Sequence, residues 1–196
     1  MAPPRKHDTD VILDAARALV LREGPRAASV SAIAAASGAP VGTLYHRFGN
    51  RNGVVVETWI RALDRFQQRA LAAADEPDPV EAAVAMAAAT IEFGRDLPED
   101  ARLLLELRPG DLLDGAPDPR MRERLDRMNA PLIERVHVLT DQLYGVDDEQ
   151  TVDRVVLAVV DLPYAVLRRH ARGRALPPWL AGEVAAAART LLTAGR

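Results

Sequence analysis

The 196-residue chain contains no cysteine, which excludes a disulfide framework and any thiolate-held metal. Aromatic residues make up only 4% of it, so large rings cannot dominate a core. With hydrophobic residues at 48% and alanine abundant, the interior has to come from small aliphatic contacts between helices. Serine occurs only at Ser29, Ser31 and Ser37, and no Gly-x-Ser-x-Gly elbow is present. There is also no P-loop and no Gly-x-Gly-x-x-Gly behind a strand pattern. An enzyme is therefore not expected, and neither is a cofactor. The longest apolar run, Ala82–Ile91 broken only by Thr90, is well short of the ~20 residues that a membrane span requires. The opening MAPPRKHDTD has no apolar stretch of the secretory-signal kind. A soluble, cytoplasmic protein is expected.

What the chain does have is concentrated in Ser29–Arg51, SVSAIAAASGAPVGTLYHRFGNR. Ser29 stands at a helix N-cap position, and Val30, Ile33 and Ala34 follow at helical spacing. Gly38 supplies the positive φ of a tight turn, and Pro40 pre-sets φ at the start of the next helix. In that helix Leu44 and Phe48, four apart, turn inward, while Thr43, Tyr45, His46 and Arg47 point elsewhere. A short helix with a polar tip, held by a turn against another helix, is the geometry of a helix-turn-helix recognition element.

The same residues resemble the DNA-binding domain of the TetR (tetracycline-repressor) family of transcription regulators. The match is carried by Ile33-Ala34, Gly38 and Gly42-Thr43-Leu44-Tyr45-His46-Arg47-Phe48, with Arg51 at a position where the family has lysine. Ser37, Ala39 and Pro40 depart from the pattern, and Pro40 removes the usual serine cap. The resemblance implies DNA contact by Ser29, Val41, Gly42, Thr43, Tyr45, His46, Arg47 and Arg51. Within it, Tyr45 and His46 would meet phosphates, and Thr43 a phosphate or a thymine methyl. Gly42 would let the backbone approach the groove, and Val41 offers only apolar contact. Arg51 would meet a phosphate at the start of the fourth helix.

Charge divides in the same sense. Residues 1–55 carry seven basic and four acidic side chains, while residues 56–196 carry 18 and 24. The positive field thus lies on the end that bears the motif, inside a chain of net charge −3.

The fold expected is all-α, with about nine helices and no strand-period alternation. A helix-turn-helix domain spans 7–66, with its motif at 29–48, and a helical effector-binding and dimerisation domain spans 67–196. Helices are read over 8–22, 51–73, 79–94, 98–107, 119–143 (kinked or split at Pro131), 147–172 (with Pro163 inside) and 177–194. The helix at 51–73 is the connector and the natural lever between domains. Residues 1–8 form a basic arm.

For the C-terminal domain, the resemblance implies a small-molecule pocket and dimerisation through the last two helices. Larger side chains available to a pocket are Trp59, Phe66, Met86, Phe93, Leu104, Leu107, Met121, Met128 and Tyr164. Asp161, just before Pro163, either lines that pocket or caps the segment after it. Stripes for a dimer interface are Val152, Val155, Val159 and Val166 on one helix, and Leu180, Val184, Ala187 and Leu191 on the next. His137, with Glu134 and Asp141 at helical spacing, reads as a solvated face, and no metal is expected. The overall expectation is a homodimeric repressor that binds a palindromic double-stranded operator and is released by a mainly apolar small molecule. Its rivals are a dimeric DNA-binding regulator with no effector, and a helical interaction module with degenerate DNA binding.

Overall fold

The computed structural model describes residues 9–115, 119–146, 148–170 and 175–194, and every regular element among them is helical. The basic arm expected at 1–8 lies outside the described residues. Helix α1 (Thr9–Glu23) buries Ile12, Leu13, Ala16, Leu19 and Val20 along one side. Gly24 at φ 86° and a 3-10 turn over Pro25–Ala27 then carry the chain into α2 (Val30–Ser37). Ser29 caps α2, its Oγ accepting from the Ala32 N–H at 3.1 Å. Gly38, at φ 70°, ends α2 in the left-handed conformation that a side chain disfavours. Helix α3 (Val41–Phe48) starts at Pro40 with no side-chain cap and buries Leu44 completely.

Helix α4 (Arg51–Ala73) begins under a cap the sequence reading did not identify: Asn50 Oδ1 accepts from the Gly53 N–H at 2.9 Å. Its next turns bury Val54, Val55, Val56 and Trp59.

The chain divides into two compact units, Met1–Leu63 with Arg102–Leu125, and Asp64–Ala101 with Asp126–Arg196. The expected boundary at residue 66 falls beside the first crossing between them. The return of 102–125 to the N-terminal unit was not expected. This returning segment holds the end of α6 (Pro98–Glu106), a short α7 (Pro109–Leu112) and most of α8 (Pro119–Arg127). The Trp59 indole N–H donates to the Leu107 carbonyl at 3.0 Å, and Leu112 is buried.

In the second unit, Asp78 caps α5 (Pro79–Asp96) by accepting from the Val80 and Glu81 N–H groups at 2.8 and 3.0 Å. The alanines of α5 admit α12 (Leu180–Thr193) at close range. At Gly94 a Cβ would lie 2.3 Å from Leu167 Cδ1, which shows how near the neighbouring side chain comes. The segment read over 119–143 as kinked or split at Pro131 is two helices, because α9 (Ala130–Tyr144) starts afresh with Pro131 in its first turn, where a missing N–H costs nothing. The next long helix is interrupted as well. Between α10 (Glu149–Val156) and α11 (Leu162–His170), residues Leu157–Asp161 form a π turn in which the Leu162 N–H reaches back five residues to the Leu157 carbonyl. Pro163 has no N–H to continue an i→i−4 ladder, and one extra residue in the turn relieves its clash. Residues 147 and 171–174 lie outside the described part.

A bidentate pair ties α5 to α12, with Arg189 Nη1 and Nη2 each 2.6 Å from a Glu81 carboxylate oxygen. The hydrogen bonds from Arg189 hold the Glu81 pKa below its ordinary value. A carboxyl depressed in the folded state contributes stability above its unfolded pKa and loses it as pH falls through the folded one. Thermal denaturation across the acid range should therefore show a stability loss on acidification that is smaller in Glu81→Gln.

Candidate nucleic-acid interface

The first unit presents one face of α3 to solvent. Val41, Gly42, Tyr45 and His46 face solvent, and Tyr45 keeps 53% of its surface exposed. Thr43, Arg47 and Phe48 are half-buried along the flanks, and Leu44 anchors the opposite side in the core. A Cβ on Gly42 would meet nothing within 4 Å, so the backbone there is open to a close-approaching partner. An exposed apolar residue, a phenol and an imidazole on one face of a rigidly seated short helix suit a groove lined by phosphates and base edges.

Rigidity comes from the helices around it. Gly53 brings the start of α4 against the end of α3 so closely that a Cβ there would stand 1.9 Å from the Phe48 carbonyl oxygen. Arg61 on α4 is nearly buried and holds α1, meeting Asp10 Oδ1 at 2.7 Å and Asp14 Oδ1 at 2.6 Å. Arg47 donates to Thr9 Oγ1 at 2.9 Å, tying the far end of α3 to the first residue of α1.

Besides Arg47, two of the expected DNA contacts are occupied within the protein. Ser29 Oγ serves as the α2 cap and lies 3.1 Å from Ser31 Oγ. Arg51, expected at a phosphate, is turned inward with its side chain 15% exposed. Its guanidinium donates to the Pro25 carbonyl, to the Leu112 carbonyl at 2.9 Å and to Asn52 Oδ1 at 3.2 Å, and it pairs with Asp114 Oδ2 at 3.0 Å. Asn52 reinforces the tie by accepting from the Asp114 N–H at 3.0 Å. In this arrangement Arg51 fastens the returning 112–114 loop to the helix-turn-helix and presents no free N–H fork to DNA. The signal missed in the sequence is Asp114, a carboxylate in a Pro/Gly-rich loop that gives no hint of its partner.

The candidate pocket residues are divided between the units. Trp59, Leu104 and Leu107 belong to the first, and Phe66, Met86, Phe93, Met128, Asp161 and Tyr164 to the second. The side chain of Met121 lies outside the described residues. In the second unit Met86 and Phe93 are buried, and Phe66 meets Phe93 edge-on at 5.4 Å between centroids. Gln67 brings an amide to this side of α4, its Nε2 donating to the Met128 carbonyl at 2.7 Å. Asp161 and Tyr164 are both exposed, so neither side chain is enclosed within its own unit. The extra residue of the π turn rotates Asp161 outward.

The residues of the expected dimer stripe differ in their burial within the protomer. Val155, Val159, Leu180 and Val184 are buried in their own unit, while Val152, Val166 and Leu191 are half-buried and Ala187 is exposed. The apolar surface left open on this side is Leu157, Val160 and Tyr164. Among the described residues no group of three His, Asp or Glu side chains is placed to hold a metal ion, and no helix is long and apolar enough to cross a membrane.

Comparison with known proteins agrees with this geometry. Residues 12–58 match the family described as bacterial regulatory proteins, tetR family. No curated protein matches the chain significantly. Among solved structures, a TetR-like transcriptional regulator from Rhodococcus sp. RHA1 superposes with TM-score 0.70 at 20% identity, covering 100% of both chains. The regulator FadR from Bacillus subtilis, solved with stearoyl-CoA, gives TM-score 0.71 at 13% identity over 96% of this chain and 100% of its own. AibR, solved with isovaleryl coenzyme A and operator DNA, gives 0.69 at 16% identity over 93% and 96%. At these identities the likeness is one of fold.

Proposed function

We propose, for a chain that belongs through residues 12–58 to the tetR family of bacterial regulatory proteins, a dimeric repressor that leaves its operator when an acyl thioester of coenzyme A binds. The observation that carries the DNA half is α3, whose exposed face bears Val41, Gly42, Tyr45 and His46 while Leu44 and Gly53 fix its seat. Two such helices related by a two-fold axis would enter successive major grooves, about one helical turn apart, and read a palindrome. Tyr45 and His46 meet the backbone or base edges, and Thr43 and Arg47 flank them. Arg51 acts by holding the loop that supports α3. The ligand class is suggested by the acyl-CoA complexes of FadR and AibR, together with the buried Met86 and Phe93 and the Gln67 amide of the second unit. By linkage, such a ligand and the operator weaken each other's binding by the same factor.

The test selects duplexes from a random pool with the full-length protein, then titrates the selected complex with acyl-CoAs of increasing chain length. A palindromic site is expected, with Tyr45→Ala weakening it roughly 10- to 100-fold and leaving thermal stability unchanged. Release by acyl-CoA at concentrations where free coenzyme A does nothing supports the effector class. Equal affinity for selected and random DNA would reject the regulator. Selection without release by any acyl-CoA would leave a DNA-binding regulator of a different effector class.

A further inference from the structure

An open cleft of about 600 Å³ lies beside the recognition helix, and part of its wall comes from a segment far away in sequence. His46, Arg47 and Phe48 at the end of α3 form one side, Thr9 at the start of α1 another, and Glu57 on α4 the floor. The remaining side is α8, which contributes Arg120 and Arg124. All of these belong to the same compact unit, so α8 is carried with the reading head. Arg124 reaches across to Glu57 in a bidentate pair, with Nη2 at 3.2 Å from Oε2. Arg120, on the same helix, is exposed. The cleft thus gathers three guanidinium groups against one carboxylate, before His46 is counted.

We propose that this cleft seats the sugar-phosphate backbone of operator DNA flanking each recognition helix, with Arg120 and Arg124 of α8 as phosphate contacts. His46 stands on both the exposed face of α3 and the wall of the cleft, so a strand leaving the groove at His46 passes directly over Arg47 and α8. Glu57 sets the strength of the contact: it occupies Arg124 when DNA is absent and must yield part of that pair when a phosphate arrives. The inference rests on the DNA-binding reading above.

The experiment measures affinity for selected and random duplexes over a range of salt, using full-length wild type, the Arg120→Ala/Arg124→Ala double variant and Glu57→Gln. Each phosphate contact contributes about 0.9 to the slope of log affinity against log salt. The double variant should lower that slope by about one to two for every cleft engaged, and weaken selected and random DNA alike by roughly three- to tenfold per cleft. Glu57→Gln should do the opposite, tightening both duplexes and steepening the slope. Thermal melting of each variant separates these effects from loss of fold. A wild type that selects its operator, with both variants keeping the wild-type slope, overturns the cleft assignment and leaves the regulator standing. Pyrophosphate raising the melting temperature of wild type but not of the double variant, with DNA slopes unchanged, would make the cleft a small-anion seat and also overturn it. A wild type that selects no DNA removes the reading on which the proposal rests.

Discussion

Replacing Gly53 with alanine should abolish operator binding and lower the unfolding free energy by about 3 kcal/mol. The new methyl would stand 1.9 Å from the Phe48 carbonyl oxygen, and that obstacle is backbone, so no rotamer change relieves it. Either α4 backs away from α3, taking with it the buried Val54 and Val55, or the end of α3 shifts, taking His46 and Arg47. Both routes misplace the helix that enters the groove. Gly42→Ala is the matched control, since its methyl enters open space. That variant should melt like wild type and lose only whatever affinity the close approach of the α3 backbone supplies. Paired melting curves and binding isotherms check both; a Gly53→Ala protein of unchanged stability would show that the α3–α4 contact is looser than it stands here.

The second large effect is expected at the surface of the second unit. Val160→Asp should give folded monomers with operator affinity reduced roughly 10²- to 10⁴-fold, because one half-site then binds without the effective concentration a partner supplies. Val160 keeps 41% of its surface exposed beside Leu157 and Tyr164, so a carboxylate there costs the lone protomer little and a two-fold seam a great deal. Its chain neighbour Val159 is 2% exposed, and Val159→Asp should unfold the unit instead of splitting a dimer. Sedimentation, circular dichroism and operator titration distinguish the two outcomes. Dimers that persist in Val160→Asp would place the seam on another face.

The contrast between these two valines shows where sequence reading stops. The helix-turn-helix was legible because its signals are local: an N-cap serine, a glycine at positive φ, and Leu44 at the right spacing for the core. The break at Pro131 was legible for the same reason. The face of the helices beyond Asp148 was not. A stripe at 152, 155, 159 and 166 assumes one uninterrupted helical phase, and the π turn adds a residue to it. The inward positions after the turn are therefore Pro163 and Leu167, and Val166 is displaced to the flank. Alanine-rich α5 and α12 offered no correction, since a methyl group suits either face. The role of Arg51 was hidden in another way, because its partners Leu112 and Asp114 are more than sixty positions away.

That separation bears on how such a protein can be recombined. A chimaera joined in α4 would transfer Ser29, Gly38 and the whole of α3 to a new host, yet leave behind the Leu107 carbonyl that receives the Trp59 indole and the two loop groups that receive Arg51. The reading head is spliced from two stretches of sequence, and a crossover that respects only the first inherits a recognition helix on an unfinished mount. Specificity swaps within this fold should travel as a pair of segments, 1–63 together with 102–125.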